Sequence, residues 1–167
     1  MSASSRLVIG FDPGISITGF GVVRVTPGRQ LEYVTSGCIR TACTEPVPCR
    51  LRSIYRDCLE LLERHQPDEA AVERLFVRAQ LQNALSVGQV RGVILLALAQ
   101  RDLVVGEYTS MEVRTAVLGY GKAEKRQVQF MVARLLSLAS PPKPDDAADA
   151  LAVALCHGMR TGLPAGG

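Results

Sequence analysis

Four carboxylates, drawn from three distant segments of this 167-residue chain, stand beside apolar neighbours where an acid is costly. Asp12 ends the apolar run RLVIGFD, Glu73 lies within AAVERLF, and Asp146 and Asp149 stand three apart in DDAADAL. A carboxylate at the end of an apolar strand is partly desolvated and calls for a counter-charge or a metal. Brought together, Asp12, Glu73, Asp146 and Asp149 would form an all-oxygen donor set, which selects hard divalent cations such as magnesium, with manganese the alternative. Two such ions about 3.5 to 4 Å apart can activate water and stabilise the leaving oxygen in phosphodiester hydrolysis. Each acid also has a plainer explanation. Asp12 before Pro-Gly has the form of a turn residue, and Asp146 that of a helix cap. Glu73 has an ion pair with Arg74 or Arg78 open to it. Asp149 falls inside a helix, where neither a turn nor a cap accounts for it.

The basic residues supply a second pattern. Nineteen Lys and Arg against 16 Asp and Glu leave a net charge of only +3, too small to mark a nucleic-acid binder by itself. Yet Arg74 to Arg101 holds four arginines and no acid, and Arg114 to Arg134 holds five basic residues, among them Lys122 and Lys125, against one acid. Such clusters suit a polyanionic backbone held while one phosphate reaches the acids. A solvated helix face is the other reading of Lys125, Arg126 and Arg134. Phe76 follows Glu73 by three residues; an aromatic there stacks on an unpaired base if exposed, or fills the core if not.

Positioning these residues requires strands and helices in a definite order. RLVIGFD, TGFGVVRV and LEYVTSGCI, separated by Asp-Pro-Gly and Pro-Gly turns, predict three strands in a meander. Leu51, Ile54, Tyr55, Cys58 and Leu62 then fall on one helical face, and Pro67 marks its end. Strand EAAVERLF, a helical pattern over 79–101 and strand LVVGEY alternate, which predicts parallel pairing through crossover helices. Helices over MEVRTAVL, around Val128, Met131, Val132 and Leu135, and from Asp145 and Asp146 onward complete the chain. The expected class is α/β, a mixed five-stranded sheet flanked by helices. We expect a single domain over residues 1–160 and a disordered tail over 161–167.

Other classes are excluded or unsupported. The longest strongly apolar run, Val93 to Ala99, is far short of the roughly 20 residues a membrane span needs. The start MSASSRLVIG lacks a signal peptide's charged and apolar regions. Five unevenly spaced cysteines without a CxxC predict reduced thiols, hence a cytoplasmic protein.

FDPGISITGFGVV, VERLF, NALSVGQVRGV, GYGKAEKRQVQ and DDAADALAVALCH, in this order and spacing, resemble the RuvC family of Holliday-junction resolvases from about Leu7 to His157. The resemblance implies an RNase H-like fold, a homodimer, and magnesium-dependent cleavage of four-way DNA junctions by two symmetric nicks leaving 5′ phosphates. It also implies the RuvAB branch-migration motor as a partner in recombination and repair. The family's acidic ligands fall on Asp12, Glu73, Asp146 and Asp149, its stacking aromatic on Phe76, and its phosphate-binding residues on Arg114, Lys122 and Lys125. Some relatives carry lysine where this chain has Arg114, and some carry histidine where it has Asp146. Arginine's planar fork holds phosphate in a different geometry from lysine. The helical pattern over 79–101 has more apolar residues than one face needs and is the expected dimer surface. Rival readings are another RNase H-like nuclease of the YqgF type acting on RNA, an actin-like ATPase, and a non-catalytic junction binder. The chain lacks room for the ATPase's two domains.

Overall fold

A computed structural model describes residues 4–74 and 81–161, without the side chains of 81 and 82. In chain order the elements are β1 (Arg6–Asp12), β2 (Ile17–Val25), β3 (Leu31–Arg40), α1 (Val47–His65), β4 (Glu69–Glu73), α2 (Leu81–Ala99), β5 (Val104–Tyr108), α3 (Ser110–Leu118), α4 (Lys125–Leu135) and α5 (Asp145–Thr161). The strands form one sheet in the order β3-β2-β1-β4-β5. The β1–β2 and β2–β3 pairs are antiparallel, as short turns permit, while β1–β4 and β4–β5 are parallel, joined through α1 and α2. The expected mixed α/β sheet is therefore the observed one.

Both faces of the sheet are covered, which explains why β1 reads as a continuous apolar run rather than an alternating one. Side chains alternate between the faces along each strand. Ile9 and Phe11 of β1, with Ala70 and Val72 of β4, pack against α1 and α2 around Ile54, Cys58 and Ile94. Val8 and Ala71 point the other way, into a core built with α3, α4 and α5 around Val132, Leu151 and Leu155. By the same alternation Asp12 and Glu73 belong to the α5 face. Phe11 and Val72 are the last paired residues between β1 and β4, so the two acids stand side by side one residue beyond the ladder.

The last helix lies almost wholly inside, with 147, 148 and 150–158 all buried. Its alanines make it thin, and glycines on the strands let it approach. A Cβ built on Gly10 would lie 2.4 Å from the carbonyl oxygen of Ala150, and one on Gly19 would lie 2.0 Å from that of Asp146. These contacts fix the depth at which the helix carries its acids over the sheet. At the far end of α5, His157 is 2% exposed. It bonds Tyr108 Oη at 2.8 Å and Glu69 at 2.7 Å, and Arg6 pairs with the same carboxylate. His157 is thus a structural residue.

Boundaries differ slightly from expectation. The strand begun at Glu69 ends at Glu73, with the rest of the expected run past Arg74 outside the described residues, and α3 starts at Ser110 instead of Met111. The second shift comes from a capping box: the Thr109 hydroxyl accepts from the Glu112 amide while the Glu112 carboxylate accepts from the Thr109 amide. The T-x-x-E spacing is legible in the sequence.

Candidate active site

Where β1 and β4 end, a pocket of about 260 Å³ opens between the sheet, α3, α4 and α5. Asp12, Glu73 and Asp149 line it, together with Arg114 and Lys125. Three of the four expected acids and two of the expected cations thus share one wall. Asp146 does not line the pocket, but its charge acts on Asp12. Lys122 lies exposed in the loop between α3 and α4. Phe76 lies outside the described residues.

The electrostatics follow from this crowding. Burial, and then the negative charge and hydrogen bond of Glu73, push the Asp12 carboxyl from 3.8 up to about 9; Asp149 and Asp146 add to the rise. Burial also raises Asp149, opposed by Lys125, whose ammonium reaches Asp149 Oδ2 at 2.9 Å. That bond in turn raises Lys125. Glu73 accepts a 2.5 Å hydrogen bond from Ser110 Oγ. Of the ion pairs open to Glu73 in the sequence, Arg74 instead approaches Glu107, at 4.0 Å, and Arg78 lies outside the described residues. Asp12 closes β1 as its last residue, and Asp146 is the second residue of α5 rather than its cap.

As placed, no three His, Cys, Asp or Glu groups among the described residues stand close enough to share one ion. At the site Lys125 pairs with Asp149 and Ser110 donates to Glu73. The donor set nevertheless fits a divalent cation. Burial first, and then the charges of the neighbouring carboxylates, make an ionised Asp12 costly in this pocket, and a cation there offsets that cost.

Ser110 and the Lys125–Asp149 pair are the two features that sequence reasoning missed. Thr109 at the cap of α3 is the local signal for the first, since it fixes Ser110 as the first helical residue, beside the end of β4. No local signal marks the second, because 24 residues separate Lys125 from Asp149.

A mixed sheet of this order, with acids from its first and fourth strands and its last helix meeting at one end, defines an RNase H-like nuclease. The family profile described as "Crossover junction endodeoxyribonuclease RuvC" matches residues 8–157, and the chain belongs to that family. The protein of that name from Desulforamulus reducens is 49% identical over 151 residues, covering 90% of this chain and 92% of its own. Thermus thermophilus RuvC superposes with a TM-score of 0.85 at 36% identity, over 93% of this chain and 95% of its own. The same protein in complex with Holliday junction substrate superposes at 0.84 and 34% identity, over 93% and 94%. The chain is accordingly a nuclease.

Proposed function

We propose that this chain resolves four-way DNA junctions by paired symmetric nicks, hydrolysing one phosphodiester per subunit to leave 5′ phosphates, in recombination and DNA repair. The observation that carries the reading is the carboxylate pocket bordered by Arg114 and Lys125, within a family match spanning residues 8–157. A single domain over residues 1–160 carries the activity, in the cytoplasm.

Enzymes of this family are metal-dependent, and here Asp12, Glu73, Asp146 and Asp149 would hold the metal, two magnesium ions per site. When bound, the metal lowers the pKa of water and neutralises charge on the departing 3′ oxygen. Asp12 must lose its proton to serve, and Glu73 and Asp149 must turn from Ser110 and Lys125. Ser110 and Lys125 therefore hold the acids in reserve near their working positions. Once released, Lys125 joins Arg114 and Lys122 in binding the phosphate and offsetting charge that grows in the transition state. Phe76 stacks on a base unpaired at the junction centre.

Two equivalent strands must be cut, and a twofold dimer presents two equivalent sites. On α2, Leu85 is 63% and Leu96 52% exposed, eleven residues apart and so on one helical face. That exposed apolar face supports a homodimer built through α2. The RuvAB motor would deliver the junction to it.

The test is cleavage of a synthetic four-way DNA junction beside a linear duplex and a structured RNA. Junction cuts at symmetric positions, with little cutting of the others, are expected. Equal or greater activity on RNA would overturn the reading in favour of a YqgF-type nuclease.

A further inference from the structure

Arg50, in the first turn of α1, is 7% exposed. Its Nε donates to Thr41 Oγ1 at 2.8 Å and its Nη2 to Ser16 Oγ at 2.9 Å. Both partners are neutral, and no carboxylate pairs with this guanidinium among the described residues. A buried cation without a counter-charge is expensive. Every other described side chain buried as deeply is apolar, hydroxyl, amide or the histidine bonded to Glu69. Two neutral bonds would have sufficed to tie these loops together with less penalty, so the charge itself needs an explanation.

The surroundings show where a counter-charge would come from. Among the described residues Nη1 makes no hydrogen bond, so the guanidinium retains donor capacity that its two neutral partners do not use. Ser16 is exposed, and its oxygen already accepts from Arg50, which leaves its O–H free to donate outward as well. The pair is held rigidly: Thr41 Oγ1 donates to the Ile15 carbonyl, the Thr41 amide to the Ser16 carbonyl at 3.2 Å, and Thr18 Oγ1 to the Gly14 carbonyl at 2.7 Å. The first turn of α1 contains no acid that would repel an anion. An exposed hydroxyl thus sits directly on a buried cationic donor in a preorganised corner.

We propose that Arg50 and Ser16 form a second phosphate clamp, gripping the DNA backbone on the flank of the active site opposite Arg114, Lys122 and Lys125. The inference rests on the junction-resolvase reading above. Ser16 belongs to the same turn as Asp12, four residues on, so the two lie at most about 14 Å apart. With one phosphate per 3.4 Å of rise on each strand, that reach is about four nucleotides. A strand whose scissile phosphate meets Asp12 therefore carries neighbouring phosphates past this corner. α3 and α4 hold the strand from one side; the clamp holds it from the other and fixes which phosphate stops at the acids.

The test measures junction affinity in calcium, without cleavage, as a function of salt for the wild type, Arg50→Gln and Arg50→Lys, with thermal unfolding of each variant. Loss of one phosphate contact lowers the slope of log K against log salt by about 0.9 per subunit. Arg50→Gln is expected to show that loss and roughly five- to tenfold weaker binding, with Arg50→Lys recovering most of the slope. An unchanged slope in folded Arg50→Gln overturns the proposal. If Arg50→Gln fails to fold, wild-type binding to junctions with single uncharged methylphosphonate linkages decides. A sensitive position within about four nucleotides of the cut, still sensitive in Arg114→Gln, Lys122→Gln and Lys125→Gln, supports the clamp, and its absence refutes it. Wild-type protein that binds no junction at all would instead overturn the underlying functional reading.

Discussion

Replacing Asp12 by Asn should stabilise the metal-free protein while destroying its activity. Burial and the charge of Glu73 raise Asp12 from 3.8 to about 9, so at pH 7 the folded chain holds a proton there that the unfolded chain releases. Because the folded value is raised, this group's contribution to stability is complete below about pH 3.8 and is lost as pH rises toward 9. Between 3.8 and 7 the full loss would be about 4 kcal/mol, at 1.36 kcal/mol per pH unit. Allowing half for water entering an open pocket leaves about 2 kcal/mol, or roughly 4 to 8 °C in melting temperature for a chain of this size. Asparagine is neutral throughout and can still donate to Glu73. Thermal unfolding in a chelator at pH 5, 7 and 8 should show Asp12→Asn melting above the wild type by a margin that widens with pH. Added magnesium should raise the wild type and leave the variant nearly unmoved. A variant that melts at or below the wild type in chelator at pH 7 would refute the argument that burial and neighbouring carboxylates make an ionised Asp12 costly here.

Four further outcomes are expected. Glu73→Gln and Asp149→Asn should each cut junctions at less than about a hundredth of the wild-type rate while binding them normally in gel-shift assays; normal cleavage by either removes that residue from the site. Burial holds His157 below its ordinary 6.5, with Glu69 opposing, so stability from this group is present above about pH 6.5 and is lost as pH falls; His157→Gln should melt lower at pH 7 and lose less than the wild type between pH 7 and 5.5. Gly10→Ala places a Cβ 2.4 Å from the Ala150 carbonyl oxygen, and forcing α5 off the sheet should cost about 1–3 kcal/mol by chemical denaturation, with activity falling further than stability alone explains. Leu96→Arg on the exposed face of α2 should convert the proposed dimer to monomer in analytical ultracentrifugation without lowering the unfolding free energy of the monomer by more than about 0.5 kcal/mol.

The order of elements was legible because each announces itself locally. Asp-Pro-Gly and Pro-Gly punctuate the meander, Pro67 ends α1 after Gln66 takes a left-handed cap, and the stripe from Val128 to Leu135 has a helical period. The four acids were legible for a different reason: an ionisable group among apolar neighbours conflicts with burial, and such conflicts mark sites. Their individual explanations, turn for Asp12 and cap for Asp146, could not be set aside from position alone, since a cap and a ligand look identical in one dimension.

What the sequence by itself determined is the inventory: which residues are acidic, which segments are strands and helices, and on which face of each strand an acid must lie, given a side-chain period of two. Tertiary structure decided the distances. That β1 lies beside β4, that glycines at 10 and 19 admit α5 to van der Waals contact, and that Lys125 reaches Asp149 while Ser110 reaches Glu73 all depend on contacts between residues far apart in the chain. A titration shift such as that of Asp12 is a sum over such neighbours and over lost water, and the neutral oxygens of Thr41 and Ser16 that hold the buried Arg50 are visible only once its surroundings are assembled. Neither quantity belongs to any residue taken alone.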